Sequence, residues 1–391
     1  MLLLESTLRK GVASMKDLAK SILYFVGDAP FFVSHRLNLV RGAVAEGYRV
    51  IVACPSHATA LAAIRAAGAE WVEWNINRGG TSIFGEGVTF LRAFAIIQRI
   101  RPTLIHAIAI KCILHAGLAS KILRVPVVGA VSGLGYVYTG SDGGMKRVLR
   151  RAINAFMRLG LNRRDVSFIF QNGDDARMVD FAKLDKVSVH RIGGSGVDLQ
   201  KITMRPHPVG PETRVGLPAR LLRDKGVYEF VDAARELRRR GRNATFVLIG
   251  DPDLTNPTSV TPAEIEHWVR ERGVEWVPYT SDIATALAGL HIAALPSYRE
   301  GFPKSLIDAA AAGRASVTSD VPGCRDAIID GVTGLLCAAR DSIALADAID
   351  RLVLDRHLCI RMGVAARSHA EANFDINGVT QRHLEIYRVH S

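Results

Sequence analysis

Two doubly wound α/β domains in series is the fold class that this 391-residue sequence predicts. Three observations predict it. Short continuous apolar runs alternate with amphipathic segments along nearly the whole chain, the pattern of parallel strands covered by helices on both faces. The alternation stops at one Gly- and Pro-rich stretch, GGSGVDLQKITMRPHPVGPET (193–213), and restarts beyond it. The length suits two domains of roughly 150–200 residues, each large enough to bury a core.

The first strand is SILYFVG (21–27), an apolar run ending at a glycine, and the helical spacing of HRLNLVRGAVAEG follows it. Strands at 48–54, 69–74, 102–110, 126–132, 165–172 and 187–192 then alternate with helices near 57–68, 87–100, 112–123 and 144–160. After the break come strands at 214–220, 244–250, 274–279, 291–296, 315–319 and 334–337. The helices between them are expected at 226–239, 262–272, 282–289, 303–312 and 322–329, with two more at the C-terminus. The expected boundaries are an extension over 1–20, a first domain over 21–195, a linker over 196–213 and a second domain over 214–370. Residues 371–391 are expected as a helix packing back on the first domain. Sheets of this kind bind ligands outside the carboxyl ends of their strands, so a facing pair makes one deep shared cleft.

Composition narrows the function classes. A hydrophobic fraction of 48% and a charged fraction of 23% are globular averages. The net charge of +12 favours an anionic partner such as a phosphate or an acidic membrane face. No zinc-finger or other nucleic-acid signature accompanies it, so no nucleic-acid partner is expected. Five scattered cysteines without a CxxC read as buried thiols in a reducing compartment. No convincing secretory signal begins the chain, and no run approaches the roughly 20 apolar residues of a membrane span. The expected location is therefore cytoplasmic. No GxGxxG follows the first strand, and neither a GxxxxGK[ST] loop nor a GxSxG elbow occurs, which argues against dinucleotide oxidoreductases, P-loop enzymes and serine hydrolases.

The strongest local feature is SYREGFPKSLIDAAAAGRASVTSDVPGCRD (297–326), directly after the strand HIAALP. Glu300 sits in the turn, Gly301 permits close backbone approach, and Pro303 suits the first turn of the next helix. Free N–H groups at that helix start would cradle an anion such as a diphosphate. Asp308 lies eight positions after Glu300, about two turns down the helix, where a carboxylate reaches ribose hydroxyls.

This segment resembles the acidic-x7-acidic motif of retaining GT-B glycosyltransferases of family 4, particularly bacterial enzymes that extend undecaprenyl-diphosphate-linked saccharides. GLPARLLRDKGVYEFVDAA (216–234), SGVDL (195–199), GDAPFFVSHRLNL (27–39), IHAIAIK (105–111), VSGLGYVY (131–138) and FQNGDD (170–175) match the same group in order. The resemblance covers roughly residues 21–370. It implies a GT-B fold, two Rossmann-like domains facing a deep cleft, with the nucleotide-sugar site in the second.

The resemblance also assigns roles. Glu300 meets the donor sugar, and Arg220 and Lys225 form a basic pair at the diphosphate, where fixed cations stabilise the charge that grows on the leaving group. Asp308 binds the ribose, although the family usually has Glu there. Gly301, Phe302, Pro303, Lys304, Ser305, Gly250, Asp251 and Trp276 complete the expected donor site. His106 is expected at a strand end facing the cleft, and His35, Arg36 and Lys111 on the acceptor side, with His35 and Arg36 where the first helix begins. Asp251 and Asp253 form a DxD, but such enzymes generally use basic side chains instead of a metal, so neither metal nor cofactor is expected.

Residues 144–164 interleave Lys146, Arg147, Arg150, Arg151, Arg158, Arg163 and Arg164 with apolar residues, which as a helix suits an anionic membrane surface. The expected function is transfer of a hexose or N-acetylhexosamine from a UDP-sugar to a polyprenyl-diphosphate-linked saccharide, peripherally on the inner membrane face. The product would serve O-antigen, capsule or exopolysaccharide synthesis. A GT-B epimerase or hydrolase, or a degenerate nucleotide- or membrane-binding scaffold, are the alternatives.

Overall fold

The computed structural model of the chain describes residues 20–76, 83–133 and 144–390. The expected extension up to residue 19, and residues 134–138 of VSGLGYVY, lie outside the described residues. The first unit contains β1 (Ser21–Phe25), α1 (Ala29–Ala45), β2 (Arg49–Cys54), α2 (Ala58–Ala66), β3 (Glu70–Glu73), α3 (Ile83–Ile100) and β4 (Leu104–Ile108). It continues with α4 (Ile110–Leu123), β5 (Val127–Val131), α5 (Gly144–Leu161), β6 (Val166–Phe170), the short α6 (Gly173–Ala176) and α7 (Met178–Ala182), and β7 (Ser188–Arg191). The strands form one parallel sheet in the order β3-β2-β1-β4-β5-β6-β7. Strand alternation supplies both cores: Ile22 and Tyr24 point into one, Leu23 and Phe25 into the other.

The second unit contains β8 (Thr213–Pro218), a 3₁₀ turn (Arg223–Lys225), α8 (Val227–Arg239), β9 (Ala244–Ile249), α9 (Pro262–Arg272), β10 (Val274–Val277) and α10 (Ile283–Ala288). Then come β11 (Ile292–Leu295), α11 (Lys304–Ala311), β12 (Ala315–Ser319), α12 (Cys324–Ala327), β13 (Gly334–Cys337), α13 (Ser342–Leu354), α14 (Arg356–Asn373) and α15 (Ile376–His390). Its sheet is parallel with order β10-β9-β8-β11-β12-β13. Strand order reverses between β1 and β4 in the first sheet and between β8 and β11 in the second, so each has a switch-point crevice.

Two expectations need correction. α1 starts at Ala29, because Asp28 accepts from Phe31 N and proline occupies the first turn, so His35 and Arg36 lie inside the helix. The C-terminus forms three helices instead of two, with a break at Phe374 and Asp375 where the chain crosses back to the first unit. The stretch read as a linker is pinned: the buried Arg314 donates to the carbonyls of Arg205 and Pro206, and Arg356 to those of Pro208 and Gly210. Fixed geometry there absorbs guanidinium donors that would otherwise lack partners.

The last helix, α15, docks on the first unit. Asn38 Nδ2 donates to Thr380 Oγ1 at 2.9 Å, and the hydroxyls of Tyr387 and Tyr24 meet at 3.2 Å. Gly42 permits this contact, since a Cβ there would lie 2.4 Å from Thr380 Cγ2. The two chain crossings run side by side, with Val197 N donating to Phe374 O and Ile376 N to Val197 O.

Candidate functional site

The loops after β8, β9 and β11 converge at the switch point of the second sheet. Glycines make the convergence possible. Gly250 has φ +140, and a Cβ there would sit 2.2 Å from Ala219 O; Gly226 has φ +73, and a Cβ would sit 2.1 Å from Pro296 O. The 3₁₀ turn therefore lies directly on the β11 loop. Ser297 Oγ donates to Asp224 O at 2.8 Å and to Glu300 Oε1 at 2.9 Å, and Lys225 Nζ donates to the same Glu300 oxygen at 2.5 Å. Glu300 and Lys225 are thus joined as an ion pair, both mostly buried.

Arg220 remains largely exposed and pairs with Asp253 at 3.0 Å. Asp251 accepts from Tyr279 N, so the two carboxylates of the DxD face different partners. No group of three or more His, Cys, Asp or Glu side chains among the described residues is arranged to hold a metal. Trp276 donates its indole N–H to Gly250 O at 2.9 Å and leaves part of its ring exposed beside the loop. Its neighbour Tyr279 is exposed as well.

Helix α11 starts at Lys304, with Pro303 as its cap residue and no side chain capping its first N–H groups. Those amides, with Ser305 in the first turn, follow directly on the loop that holds Glu300 and Gly301. Phe302 packs edge-on against Phe374 and contacts Gly193 and Gly194 at the interdomain crossing. Asp308 differs from expectation. It is buried, and both its oxygens accept from Lys304 one turn earlier, at 2.6 and 2.8 Å. Burial raises its pKa, and Lys304 opposes that shift. The carboxylate is therefore not open to the cleft; the shorter Asp side chain stays against its own helix, within reach of the i,i+4 lysine.

The first-domain candidates separate. His35 is half-buried on α1: burial lowers its pKa to about 4, helped by the charges of Arg36 and Lys304. Its ring stacks on Phe31 at 4.1 Å, and Ser34 Oγ lies 2.8 Å from Nδ1. Arg36, one position on, turns into the core, where it is only 2% exposed near Tyr24 and Tyr387. Its Nε is buried without a hydrogen-bond partner. The expectation that Arg36 lines the acceptor side is corrected by the helix register, because consecutive residues lie about 100° apart around an α-helix.

His106 is corrected too. It is fully buried in the middle of β4, with Nδ1 hydrogen-bonded to the Tyr387 hydroxyl and its ring stacked on His383. It sits between the sheet and α15, away from the cleft surface, and burial holds it neutral. Lys111 opens α4 and pairs with Glu86 Oε1 at 2.7 Å, while His115 takes the other oxygen of Glu86.

Sequence reasoning gave no role to several residues that shape the site. Ser297 and Gly226 hold the Glu300 loop, and Asn172, Asp175 and Arg299 join it to the first domain. The Asn-x-x-Asp of FQNGDD after a strand is a readable N-cap pattern, and Asn172 Oδ1 accepts from Asp175 N.

Comparison with known proteins agrees with this geometry. Residues 21–163 match a family model described as Glycosyl transferase 4-like, and residues 212–355 one described as Glycosyl transferases group 1. The chain is 29% identical over 339 residues to the N,N'-diacetylbacillosaminyl-diphospho-undecaprenol alpha-1,3-N-acetylgalactosaminyltransferase of Campylobacter jejuni, covering 83% of this chain and 87% of that protein. Among solved structures it superposes on Anabaena Alr3699/HepE in complex with UDP with a TM-score of 0.76 at 17% identity, covering 95% of this chain and all of that one. Sucrose-phosphate synthase from Thermosynechococcus elongatus gives a TM-score of 0.73 at 18% identity, covering 94% and 98% of the two chains. With a glycosyltransferase family model matched in each half and two parallel Rossmann-like sheets in series, the chain is a glycosyltransferase of the GT-B fold.

Proposed function

We propose that the protein is a retaining transferase that moves a hexose or N-acetylhexosamine from a UDP-sugar to a polyprenyl-diphosphate-linked saccharide in polysaccharide assembly. The observation that carries this reading is the ion pair of Lys225 and Glu300 at the second sheet's switch point, buttressed by Ser297. Lys225 and Arg220 supply positive charge where a diphosphate leaves, and the open N-terminus of α11 adds oriented N–H dipoles. Glu300 is held at fixed height to orient sugar hydroxyls. Retention and the diphosphate acceptor rest on the family resemblance and on the activity for which the Campylobacter relative is named. His35, half-buried on α1, is assigned to the acceptor side on the family resemblance. No metal or cofactor role is assigned.

The reading places the enzyme peripherally on the inner face of the cell membrane. Helix α5 exposes Val148, Phe156 and Leu159 beside exposed Arg147, Arg151 and Arg158, so apolar and basic side chains share its solvent face. Helix α3 exposes Phe84, Val88 and Leu91 at i, i+4 and i+7. No helix among the described residues is long and apolar enough to cross a membrane. Lys146 lies among residues whose side chains are outside the described set.

The test is a panel of UDP- and GDP-sugars with undecaprenyl-diphosphate-linked saccharides in anionic and in neutral vesicles, following nucleotide release and lipid-linked product. Acceptor-dependent release from a UDP-sugar, faster on anionic vesicles, is expected. Release without acceptor would replace the transferase reading with a hydrolase or epimerase. Equal rates on both vesicles would remove the membrane surface.

A further inference from the structure

Glu300 is flanked by two residues that the other domain holds. Arg299 pairs with Asp175, whose side chain is fully buried, and Gly301 O accepts from Asn172 Nδ2 at 2.7 Å. The two first-domain residues are themselves locked together: Asn172 Oδ1 accepts from Asp175 N at 2.7 Å, and Asn172 Nδ2 also reaches Asp175 Oδ2 at 3.1 Å. Contact at Gly301 is close enough that a Cβ would lie 2.0 Å from Ser132 O of the first domain. A further ion pair across the domains, Arg191 to Asp326 at 2.6 Å, grips the neighbouring loop. That loop supports Glu300 from behind, because Glu300 N donates to Pro322 O and Asp326 caps Gly323 N.

From this arrangement we infer that Asn172 and Asp175 are positioning residues. They set the Glu300 loop from the first domain, so that the donor site is assembled only when the two domains meet. The inference rests on the reading of Glu300 as a donor-sugar contact. Asp175 touches no substrate position; it acts through Arg299. A carboxylate buried to 0% exposure needs such a partner, and the guanidinium supplies it from the opposite domain. The consequence is a division of labour. Residues assigned to the nucleotide lie in the second domain and bind it whether or not the latch is made. Turnover requires Glu300 at its height above the sugar, and therefore requires the latch.

The experiment compares Asp175→Asn, Arg299→Gln and the double variant with the wild type and with Glu300→Gln. UDP binding is measured by calorimetry, and kcat and KM are measured with UDP-N-acetylhexosamine and a lipid-diphosphate-linked saccharide. The expected result is a loss of kcat of about tenfold to a hundredfold in each single variant, as for small misplacements of catalytic groups. UDP affinity stays unchanged, and the double variant is no worse than either single. Arg299 is the partly exposed partner, so Arg299→Gln keeps the test valid if Asp175→Asn fails to fold. Unchanged kcat in Arg299→Gln beside an inactive Glu300→Gln would overturn the latch alone. Full turnover in Glu300→Gln would overturn the reading of Glu300 and the latch with it. Losses that add in the double variant, or that fall equally on UDP binding, would assign these residues to ordinary folding stability.

Discussion

In the second domain Arg220, Lys225, Gly250 and Glu300 come from three loops and gather at one switch point, whereas the first-domain candidates His35, Arg36, His106 and Lys111 end in three different environments. Glu300 and Lys225 share an ion pair, and glycines at 226 and 250 bring their loops within contact. His35 stacks on Phe31 half-buried on α1, Arg36 and His106 are sealed beneath α15, and Lys111 is held by Glu86. The difference lies in what each group has to do. A donor diphosphate of fixed chemistry needs fixed charges at fixed height, so its loops are bound to one another. The first domain carries instead a buried polar cluster whose work is to hold the last helix.

The sharpest way to break this comparison is to exchange its two halves in one assay. Lys225→Ala is expected to lower kcat about a hundredfold to a thousandfold, the effect of removing one preorganised charge-stabilising group. His106→Gln is expected to leave kcat within a fewfold of the wild type while lowering the unfolding midpoint. A large loss of kcat in folded His106→Gln would return that residue to the reaction.

Backbone approach sharpens it next. Gly226→Ala forces a Cβ toward Pro296 O in a left-handed conformation, whereas Gly47, at φ +82, has open space around its missing Cβ. The expected cost is about 3 kcal/mol or more for Gly226→Ala and about 1 kcal/mol for Gly47→Ala, since only the first adds a backbone collision to conformational strain. Denaturant midpoints of the two variants measure it; equal costs would mean that the loops at the switch point are loosely packed.

The smallest of these effects is a pH dependence carried by the first domain. Burial lowers the pKa of His383 to about 3, with the charge of Arg36 adding to it, and lowers that of His106 well below its ordinary value. The unfolded chain takes up a proton on such a histidine below about pH 6.5 and the folded chain does not, so stability is present above that pH and is lost as pH falls toward the folded value. His383 alone accounts for a loss of about 2 kcal/mol between pH 7 and pH 5. Thermal unfolding across that range should fall for the wild type and fall less steeply for His383→Gln; identical slopes would place the titration elsewhere.

Much of the fold is legible in the residue order because its causes are local. Continuous runs such as SILYF and VSFIF are buried on both faces of a parallel sheet, and the strands expected at 315–319 and 334–337 occur at those residues. The Glu300 segment is legible for the same reason, since strand, turn and helix start are consecutive in sequence. Helix starts are less so: Asp28 and Pro30 set the beginning of α1 ahead of the apolar repeat, and that alone moves His35 and Arg36 inside the helix.

By itself, then, the sequence determined the alternation of strand and helix, the division into two units, and the charged groups brought to the second sheet's switch point, because each depends on spacing within a few turns. Tertiary structure decided which charges face the cleft. Arg36 and His106 are buried because a helix from the far end of the chain, 363 residues beyond Tyr24 at its Tyr387 contact, closes over them. Asp308 is drawn to Lys304, and Asp175 is set against Arg299 across the domain boundary. A side chain's exposure and its ionic partner depend on what packs against it, and residues distant in sequence supply most of that packing.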